Sequence, residues 1–269
     1  MAHNLLQAGY ALTVFNRTAE RMEPFLQAGA RGASDPAEAV GDADLVLLCL
    51  SDDIAVQQVV EEARTALPKG CLVVDFSSIS PAVSQGIAAS LAQQGVAYID
   101  APVTGGTEGA KAGSLSVLVG GTAEQLERAR PVLEVIGGSI HHFGAVGSGQ
   151  RAKAVNQVLV AGSYAAVAEA LALAQRLGLP QEQLVQALKG GAAGSWALEH
   201  RSQQMIHDHY PLGFRLALHR KDLAIALAAA EEAELHLPVT TQVAAMEDAL
   251  IQQGCSDLDV SALARWFRA

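Results

Sequence analysis

The chain has 269 residues, with 18 Lys and Arg against 28 Asp and Glu, so its formal net charge is −10. An acidic chain repels phosphate backbones, which disfavours general nucleic-acid binding, and a hydrophobic content of 50% argues against disorder. Only 17% of the residues are charged, where about 25% is typical, which favours a large shared core or an oligomer.

The cysteines and the first residues of the chain indicate the cellular compartment to expect. Cys49, Cys71 and Cys255 lie far apart with no CxxC pair, so we expect neither a zinc site nor a disulfide framework, and we expect a cytoplasmic protein. The first residues do not read as a secretory signal. The longest apolar stretch, 158–174, is rich in Ala and contains Glu169, which argues against a membrane span.

The first half of the chain alternates predicted strands with predicted helices. Strand-like apolar runs cover residues 11–16, 43–50, 70–76, 96–103, 114–120 and, more briefly, 141–143. The first helix is predicted over about 18–28, with Thr18 as its N-cap and Gly29 past its end. Another helix opens at Pro81. This alternation predicts βαβ units and a mostly parallel sheet.

After Gly149 the pattern becomes helical. Residues 151–177 predict one long helix that is apolar nearly all round and is therefore expected to be buried on most sides. The remainder reads as helices and loops and closes with a helix over 240–253. We therefore expect an α/β domain over 1–147 and an all-helical domain over 148–269, led by the long helix.

Polar residues follow several of the predicted strands, at the edge where doubly wound sheets bind ligands. Asn16, Arg17 and Thr18 offer an arginine and no acid, a pattern suited to a ribose 2′-phosphate. The alternative is a surface arginine beside a helix cap. The polar residues after the next two strands, 50–53 and 75–78, are either a ligand-lined edge or ordinary helix caps.

Two further segments carry candidate chemistry. Thr104, Gly105 and Gly106 follow a strand, where glycines let backbone amides approach a carboxylate or phosphate. The alternative is an ordinary turn, which has the same sequence pattern. Lys153 and Asn156 share one helical face. A partly desolvated lysine can exchange a proton near neutral pH, whereas the alternative is a solvated lysine in a first helical turn.

Taken in order, these motifs resemble the β-hydroxyacid dehydrogenases over essentially the whole chain. The resemblance is carried by residues 15–18, 100–106, 147–157 and 221–223. It implies an NAD(P)-dependent enzyme with a Rossmann-type doubly wound parallel sheet followed by an all-α domain. Such an enzyme would interconvert a small 3-hydroxy acid and its semialdehyde. The low charged fraction and the long apolar helix over 151–177 predict a homodimer or homotetramer.

The resemblance also implies roles for individual residues. Lys153 would be the catalytic acid/base, Asn156 would orient the substrate, and Thr104, Gly105 and Gly106 would hold its carboxylate. Contacts to the cofactor, NADP(H) in preference to NAD(H), would come from Asn16, Arg17, Thr18, Leu50, Ser51, Ser78 and Lys221. No metal is implied. Thr104 stands where serine is more usual, which keeps the hydroxyl and adds a methyl group.

Within the family, residues 156–157, 190–195 and 213–215 look closest to the tartronate semialdehyde (2-hydroxy-3-oxopropionate) reductases. The first expectation is therefore reduction of that semialdehyde. The alternatives are 3-hydroxyisobutyrate dehydrogenase and succinic semialdehyde or glyoxylate reductase activity.

One departure from the family concerns the start of the sequence. Family members open with a strand and a GxGxxG turn followed closely by a Met, and this sequence starts at that Met, so roughly 14 residues are absent. We expect a sheet without one strand and without that phosphate-binding helix start. A start assigned too late is favoured, and a non-catalytic oligomeric binding protein that has lost the turn is the alternative.

Overall fold

A computed structural model describes residues 1–268 of the chain. The chain divides into two compact units, Met1–Lys153 and Ala154–Ala269. The long helix that begins at Ser148 contributes its first residues to the first unit and the rest to the second.

Strands and helices alternate in the first unit. Its helices are α1 (Ala2–Gln7), α2 (Glu23–Gln27), α3 (Pro36–Val40), α4 (Asp53–Ala63), α5 (Pro81–Ala92), α6 (Gly106–Ala112), α7 (Ala123–Ile136) and the start of α8 (Ser148–Arg176). Its strands are β1 (Thr13–Val14), β2 (Arg31–Gly32), β3 (Leu45–Leu48), β4 (Leu72–Asp75), β5 (Ala97–Asp100), β6 (Val103–Thr104), β7 (Leu115–Gly120) and β8 (Gly137–Gly144).

The strands form a six-stranded sheet and a separate pair. In the large sheet β3, β4 and β5 run parallel, β7 runs antiparallel to β5 and β6, and β8 runs parallel to β7. The strands β1 and β2 form their own parallel pair, and β3 pairs with β4 alone among the described strands. The predicted fold class, an α/β sheet unit followed by helices, is confirmed.

The central strands β4, β5 and β7 are largely buried on both faces, which explains why they read as apolar runs. Alternate side chains of β4 point to opposite faces. Leu72 and Val74 belong to the core formed with α7, while Val73 belongs to the core formed with α4 and α5. This packing fixes the carboxyl ends of β4 and β5, which lead into the segments that carry Ser78 and Thr104.

Several predicted boundaries were wrong, for identifiable reasons. The helix predicted over 18–28 is a 3₁₀ turn at Ala19–Arg21 followed by α2, because Pro24 lacks an N–H group and can only sit in a first turn. Thr18 precedes that turn without a capping side-chain hydrogen bond. The strand predicted over 96–103 is interrupted by Pro102, which separates β5 from β6.

The second unit is helical throughout its described elements. They are the remainder of α8, α9 (Gln181–Leu188), α10 (Trp196–His207), α11 (Leu216–Glu232), α12 (Pro238–Gln252) and a 3₁₀ segment at Val260–Arg268. Its core forms around α8, with Ala161, Tyr164 and Leu171 buried against residues of α10, α11 and α12. The last predicted helix begins at Pro238, two residues before the predicted start.

The helix α8 is less buried than its sequence predicted. Val155, Leu159 and Leu173 are 64%, 66% and 58% exposed, and they lie on one side of the helix with Ala166 and Ala170. By length and composition α8 could also cross a membrane, a test that core helices of globular proteins pass as well. The expectation of burial on most sides is therefore corrected: one side is core, and another is an exposed apolar strip.

Candidate active site

The amine of Lys153 lies beside the turn that follows β6. Its Nζ donates a hydrogen bond to the backbone carbonyl of Val103, at 2.9 Å. Lys153 is half-buried, so its stem packs against protein while its amine stays close to the segment that leads into Thr104. The first unit therefore brings together two of the predicted features, the lysine and the glycine turn.

The backbone of the turn at Gly105 and Gly106 favours glycine at both positions. Gly105 has a φ of 130° and Gly106 a φ of 64°, in the region that favours glycine. A Cβ on Gly105 would also lie 3.1 Å from Leu115 Cδ2. Both glycines are exposed, and Thr104 is half-buried on β6, paired in register with Ser116. The turn thus presents uncovered backbone next to a hydroxyl.

Asp100 ties the end of β5 to the beginning of α8. Its fully buried carboxylate accepts hydrogen bonds from the backbone N–H of Gly147 at 2.7 Å and of Gln150 at 2.8 Å. Burial raises the pKa of this carboxyl, and the hydrogen bonds from those N–H groups act in the opposite direction. A carboxylate at this place satisfies helix-start donors that have no partner within the helix.

The loops that follow β3 and β4 are linked to each other. The backbone N–H of Leu50 donates to Ser77 Oγ at 2.8 Å, and the N–H of Ser77 donates to Asp75 Oδ1 at 2.9 Å. Ser78 is half-buried next to this link, and Ser51 is exposed. The three predicted cofactor contacts Leu50, Ser51 and Ser78 therefore lie on two joined loops.

Asp75, at the carboxyl end of β4, is a buried acid with a raised pKa. Its carboxylate also accepts a hydrogen bond from the hydroxyl of Tyr98 at 2.9 Å. Burial raises its pKa from the ordinary 3.8 to about 6, although its hydrogen bonds from Ser77 and Tyr98 oppose that rise. Asp75 is fully buried, so we assign it to the support of the loop and not to ligand contact.

Asn16, Arg17 and Thr18 follow β1 and are exposed. The Oδ1 of Asn16 accepts a hydrogen bond from the N–H of Thr18 at 2.9 Å, which makes a local turn at this point. The turn leaves the guanidinium of Arg17 at the surface. A guanidinium offers a planar set of hydrogen-bond donors that can pair with a phosphate group.

In the second unit, two hydrogen bonds and one ion pair link Asn156 to Lys221. Asn156 Nδ2 donates to Gln157 Oε1 at 2.7 Å, and Gln157 Nε2 donates to Asp222 Oδ2 at 2.6 Å. The other carboxylate oxygen of Asp222 lies 2.8 Å from Lys221 Nζ. Asp222 and Gln157 are buried, whereas Asn156 and Lys221 are half-buried.

Sequence reasoning did not select Asp100, Gln150, Gln157 or Asp222, although all four lie inside the quoted motifs. Each works by contact with a residue far along the chain, such as the 65 positions between Gln157 and Asp222. Their residue type could have indicated them, because polar side chains within strongly apolar segments are expected to form hydrogen bonds or ion pairs.

Two family models together match almost the whole chain. Residues 1–147 match the NAD binding domain of 6-phosphogluconate dehydrogenase, and residues 147–267 match the NAD-binding domain of NADP-dependent 3-hydroxyisobutyrate dehydrogenase. The chain belongs to the β-hydroxyacid dehydrogenase family.

Curated members of this family are similar over nearly their full length. The 2-hydroxy-3-oxopropionate reductase of Escherichia coli is 37% identical over 268 residues, which cover 98% of this chain and 91% of that protein. The NAD-dependent L-serine dehydrogenase of Pseudomonas aeruginosa is 35% identical over 277 residues, which cover 99% and 93%.

A solved structure agrees with the fold. The 3-hydroxyisobutyrate dehydrogenase of Mycobacterium tuberculosis with L-serine has a TM-score of 0.89 and 32% identity, covering 100% of this chain and 94% of that one. As a β-hydroxyacid dehydrogenase, this chain is an NAD(P)-dependent oxidoreductase that acts on the CH–OH group of hydroxy acids. The loops after β1, β3 and β4 carry six of the residues that the sequence predicts as cofactor contacts.

Proposed function

We propose that this chain reduces tartronate semialdehyde with NADPH, and that Lys153 is the proton donor. The observation that carries the mechanism is the hydrogen bond from Lys153 Nζ to the Val103 carbonyl, one residue before Thr104. The choice of substrate is supported by the similarity to the E. coli 2-hydroxy-3-oxopropionate reductase and by the residues at 156–157, 190–195 and 213–215.

In this proposal the glycine turn binds the substrate carboxylate. Gly105 and Gly106 contribute backbone N–H groups, and Thr104 adds a hydroxyl donor. Charge-assisted hydrogen bonds of this kind are stronger than neutral ones and orient the ligand. The substrate would then lie within reach of the Lys153 amine, which lies against the same segment.

The remaining step needs one proton. When bound, the nicotinamide supplies the hydride. Negative charge then develops on the carbonyl oxygen of the semialdehyde, and Lys153 donates its proton to that oxygen. The residue returns to its charged form by taking a proton from water. The proposal also includes the family roles of two further residues: Asn156 would orient the substrate, and Lys221 would position the cofactor.

We propose NADPH over NADH because of the exposed segment at Asn16, Arg17 and Thr18. It offers a guanidinium and contains no carboxylate that would compete for the ribose hydroxyls. The arginine fork suits the 2′-phosphate that distinguishes NADPH from NADH.

We also propose that the chain assembles at least as a dimer through α8. The support is the exposed strip of Val155, Leu159 and Leu173, together with the low charged fraction of 17%. Covering such a strip by a second copy removes apolar side chains from water.

A substrate panel tests the proposed activity. Oxidation of NADPH is followed with tartronate semialdehyde, succinic semialdehyde and glyoxylate, and the reverse reaction with 3-hydroxyisobutyrate and L-serine. We expect the highest kcat/KM for tartronate semialdehyde. A higher value for any other compound would replace the proposed substrate, while cofactor binding with no turnover of the panel would favour a non-catalytic binding protein.

A further inference from the structure

The beginning of α8 is held by a carboxylate from another element. Asp100 lies at the end of β5 and accepts the N–H groups of Gly147 and Gln150 on its two separate oxygens. Such an acceptor pair fixes both the position and the direction of the first turn. A negative charge here also interacts favourably with the positive end of the helix dipole.

The start of α8 packs closely against β7 and the Asp100 carboxylate. A Cβ on Gly149 would lie 2.3 Å from the carbonyl of Leu118, so the helix backbone lies directly on β7. A Cβ on Gly120 would lie 2.4 Å from the Asp100 carboxylate. The strand therefore stops the helix from moving closer, and the hydrogen bonds to Asp100 stop it from moving away.

Gln150 adds a second connection from the same helical turn. Its buried side chain donates from Nε2 to the carbonyl of Ser77 at 2.8 Å and accepts at Oε1 from the N–H of Ile79 at 3.2 Å. The loop that carries Ser78 is thereby attached to the start of α8. Three residues further along this helix, Lys153 reaches back to Val103, which lies three residues beyond Asp100.

We propose that Asp100, together with Gln150, is a positioning residue for Lys153: it fixes the first turn of α8 so that the amine meets the carbonyl of Val103 beside the glycine turn. This role rests on the proposed function of Lys153 as the proton donor. Neither Asp100 nor Gln150 needs to touch the substrate.

Amine labelling tests the placement of Lys153 without cofactor or turnover. The folded protein is treated with a limiting amount of trinitrobenzenesulfonate, and each lysine is quantified by peptide mass spectrometry. In Asp100→Asn, the backbone N–H of either Gly147 or Gln150 faces an amide NH₂ group instead of an acceptor. We expect Lys153 to be labelled several-fold faster, up to about tenfold. The exposed Lys69, Lys111 and Lys189 serve as internal references and should not change.

Asp259→Asn is the matched control. Asp259 is a buried aspartate of the second unit that likewise accepts backbone N–H groups, from Gly213, Phe214 and Ser261. Its loss removes similar hydrogen bonds, so a general loss of stability would appear in both variants. Equal labelling of Lys153 in Asp100→Asn and in this control would overturn the proposal.

Gln150→Leu keeps the test decisive if Asp100→Asn does not fold. It removes the side-chain bonds to Ser77 and Ile79 and keeps the backbone N–H that Asp100 accepts. We expect a smaller rise in Lys153 labelling, and unchanged labelling in this folded variant would contradict the proposal. In turnover assays, Asp100→Asn should lower kcat about 10- to 100-fold with little change in the KM for the cofactor. If Lys153→Ala keeps its turnover, the assignment of Lys153 as the proton donor is wrong. The labelling result still decides whether Asp100 positions Lys153.

Discussion

The Nζ of Lys153 lies 2.9 Å from the backbone carbonyl of Val103. This contact joins the first residues of a long helix to the strand that leads into the glycine turn. A lysine held here can deliver a proton to a substrate bound at the turn, and this gives the first prediction.

Lys153→Ala should lower kcat by a factor on the order of 10² to 10⁴, the usual contribution of general acid catalysis. Lys153→Arg should not restore the rate, because a guanidinium holds its proton too tightly to act as an acid near neutral pH. Steady-state kinetics with the best substrate of the panel measure both effects, and cofactor binding by fluorescence serves as the control. Near-full turnover in Lys153→Ala would show that this residue is only a lysine in the first turns of a helix and not the proton donor.

The sequence was a good guide to the elements that are defined by their own residues. The apolar run at 43–50 and the long apolar segment over 151–177 both predicted their elements, because the length and the residue pattern of each segment favour one type of element. It was a poor guide to contacts between distant segments. No local pattern predicts the hydrogen bond between Gln157 and Asp222, or the one that Asp100 accepts from Gly147. Tertiary packing alone brings these residues together.

Short elements were also hard to predict. β1 pairs over two residues only, whereas its sequence predicted a strand of six, because strand length depends on the partner strand. Thr104, Gly105 and Gly106 could be selected because a strand end and two glycines constrain the backbone by themselves. Buried residues that hold a loop in place, such as Asp75, have no comparable signal in the neighbouring sequence.

Arg17→Ala should weaken NADPH much more than NADH. The lost guanidinium contributes only to the 2′-phosphate, so the Kd for NADPH should rise about tenfold or more while that for NADH changes little. Calorimetric titration with both cofactors measures the ratio. The exposed Arg21, which ends the neighbouring 3₁₀ turn, provides Arg21→Ala as a control of equal charge change. Equal weakening of both cofactors in Arg17→Ala would reject the assignment.

Lys221→Ala should affect the cofactor more than the chemistry. Its amine lies 2.8 Å from the buried carboxylate of Asp222, so its removal takes away a charge partner at that place. We expect a several-fold higher KM for the cofactor with a smaller change in kcat, the reverse of the pattern for Lys153→Ala. A large loss of kcat with an unchanged cofactor KM would place Lys221 in the chemical step instead.

Leu159→Glu should disrupt the assembly through α8. Leu159 is 66% exposed in the single chain, and a charge there would be buried without a partner if two copies meet along this strip. Light scattering at micromolar concentration should give at least a dimer for the unaltered protein and a smaller species for the variant. Leu235→Glu is the matched control, because Leu235 is 60% exposed and lies outside α8. A monomer of about 28 kDa for the unaltered protein would reject the proposed dimer.

The stability of the first unit should depend on pH through Asp75. Burial raises the pKa of this carboxyl from 3.8 to about 6, so between these values the folded state binds more protons than the unfolded state. The free energy of unfolding therefore falls as the pH rises from about 4 to about 6, and this contribution is constant above and below that window. A rise of about two pKa units corresponds to roughly 3 kcal/mol as an upper value.

Asp75→Asn isolates this effect from the other carboxyls. Asp208 titrates in the opposite sense, because its hydrogen bonds from Arg265 lower its pKa. The measured quantity is therefore the difference between the unaltered protein and the variant, obtained from urea unfolding at a series of pH values. An asparagine can still accept the N–H of Ser77 and can donate to the hydroxyl oxygen of Tyr98, so the variant is expected to fold. The unaltered protein should lose stability relative to Asp75→Asn as the pH rises through the window. A difference that is independent of pH would show that Asp75 has the same pKa in the folded and the unfolded chain.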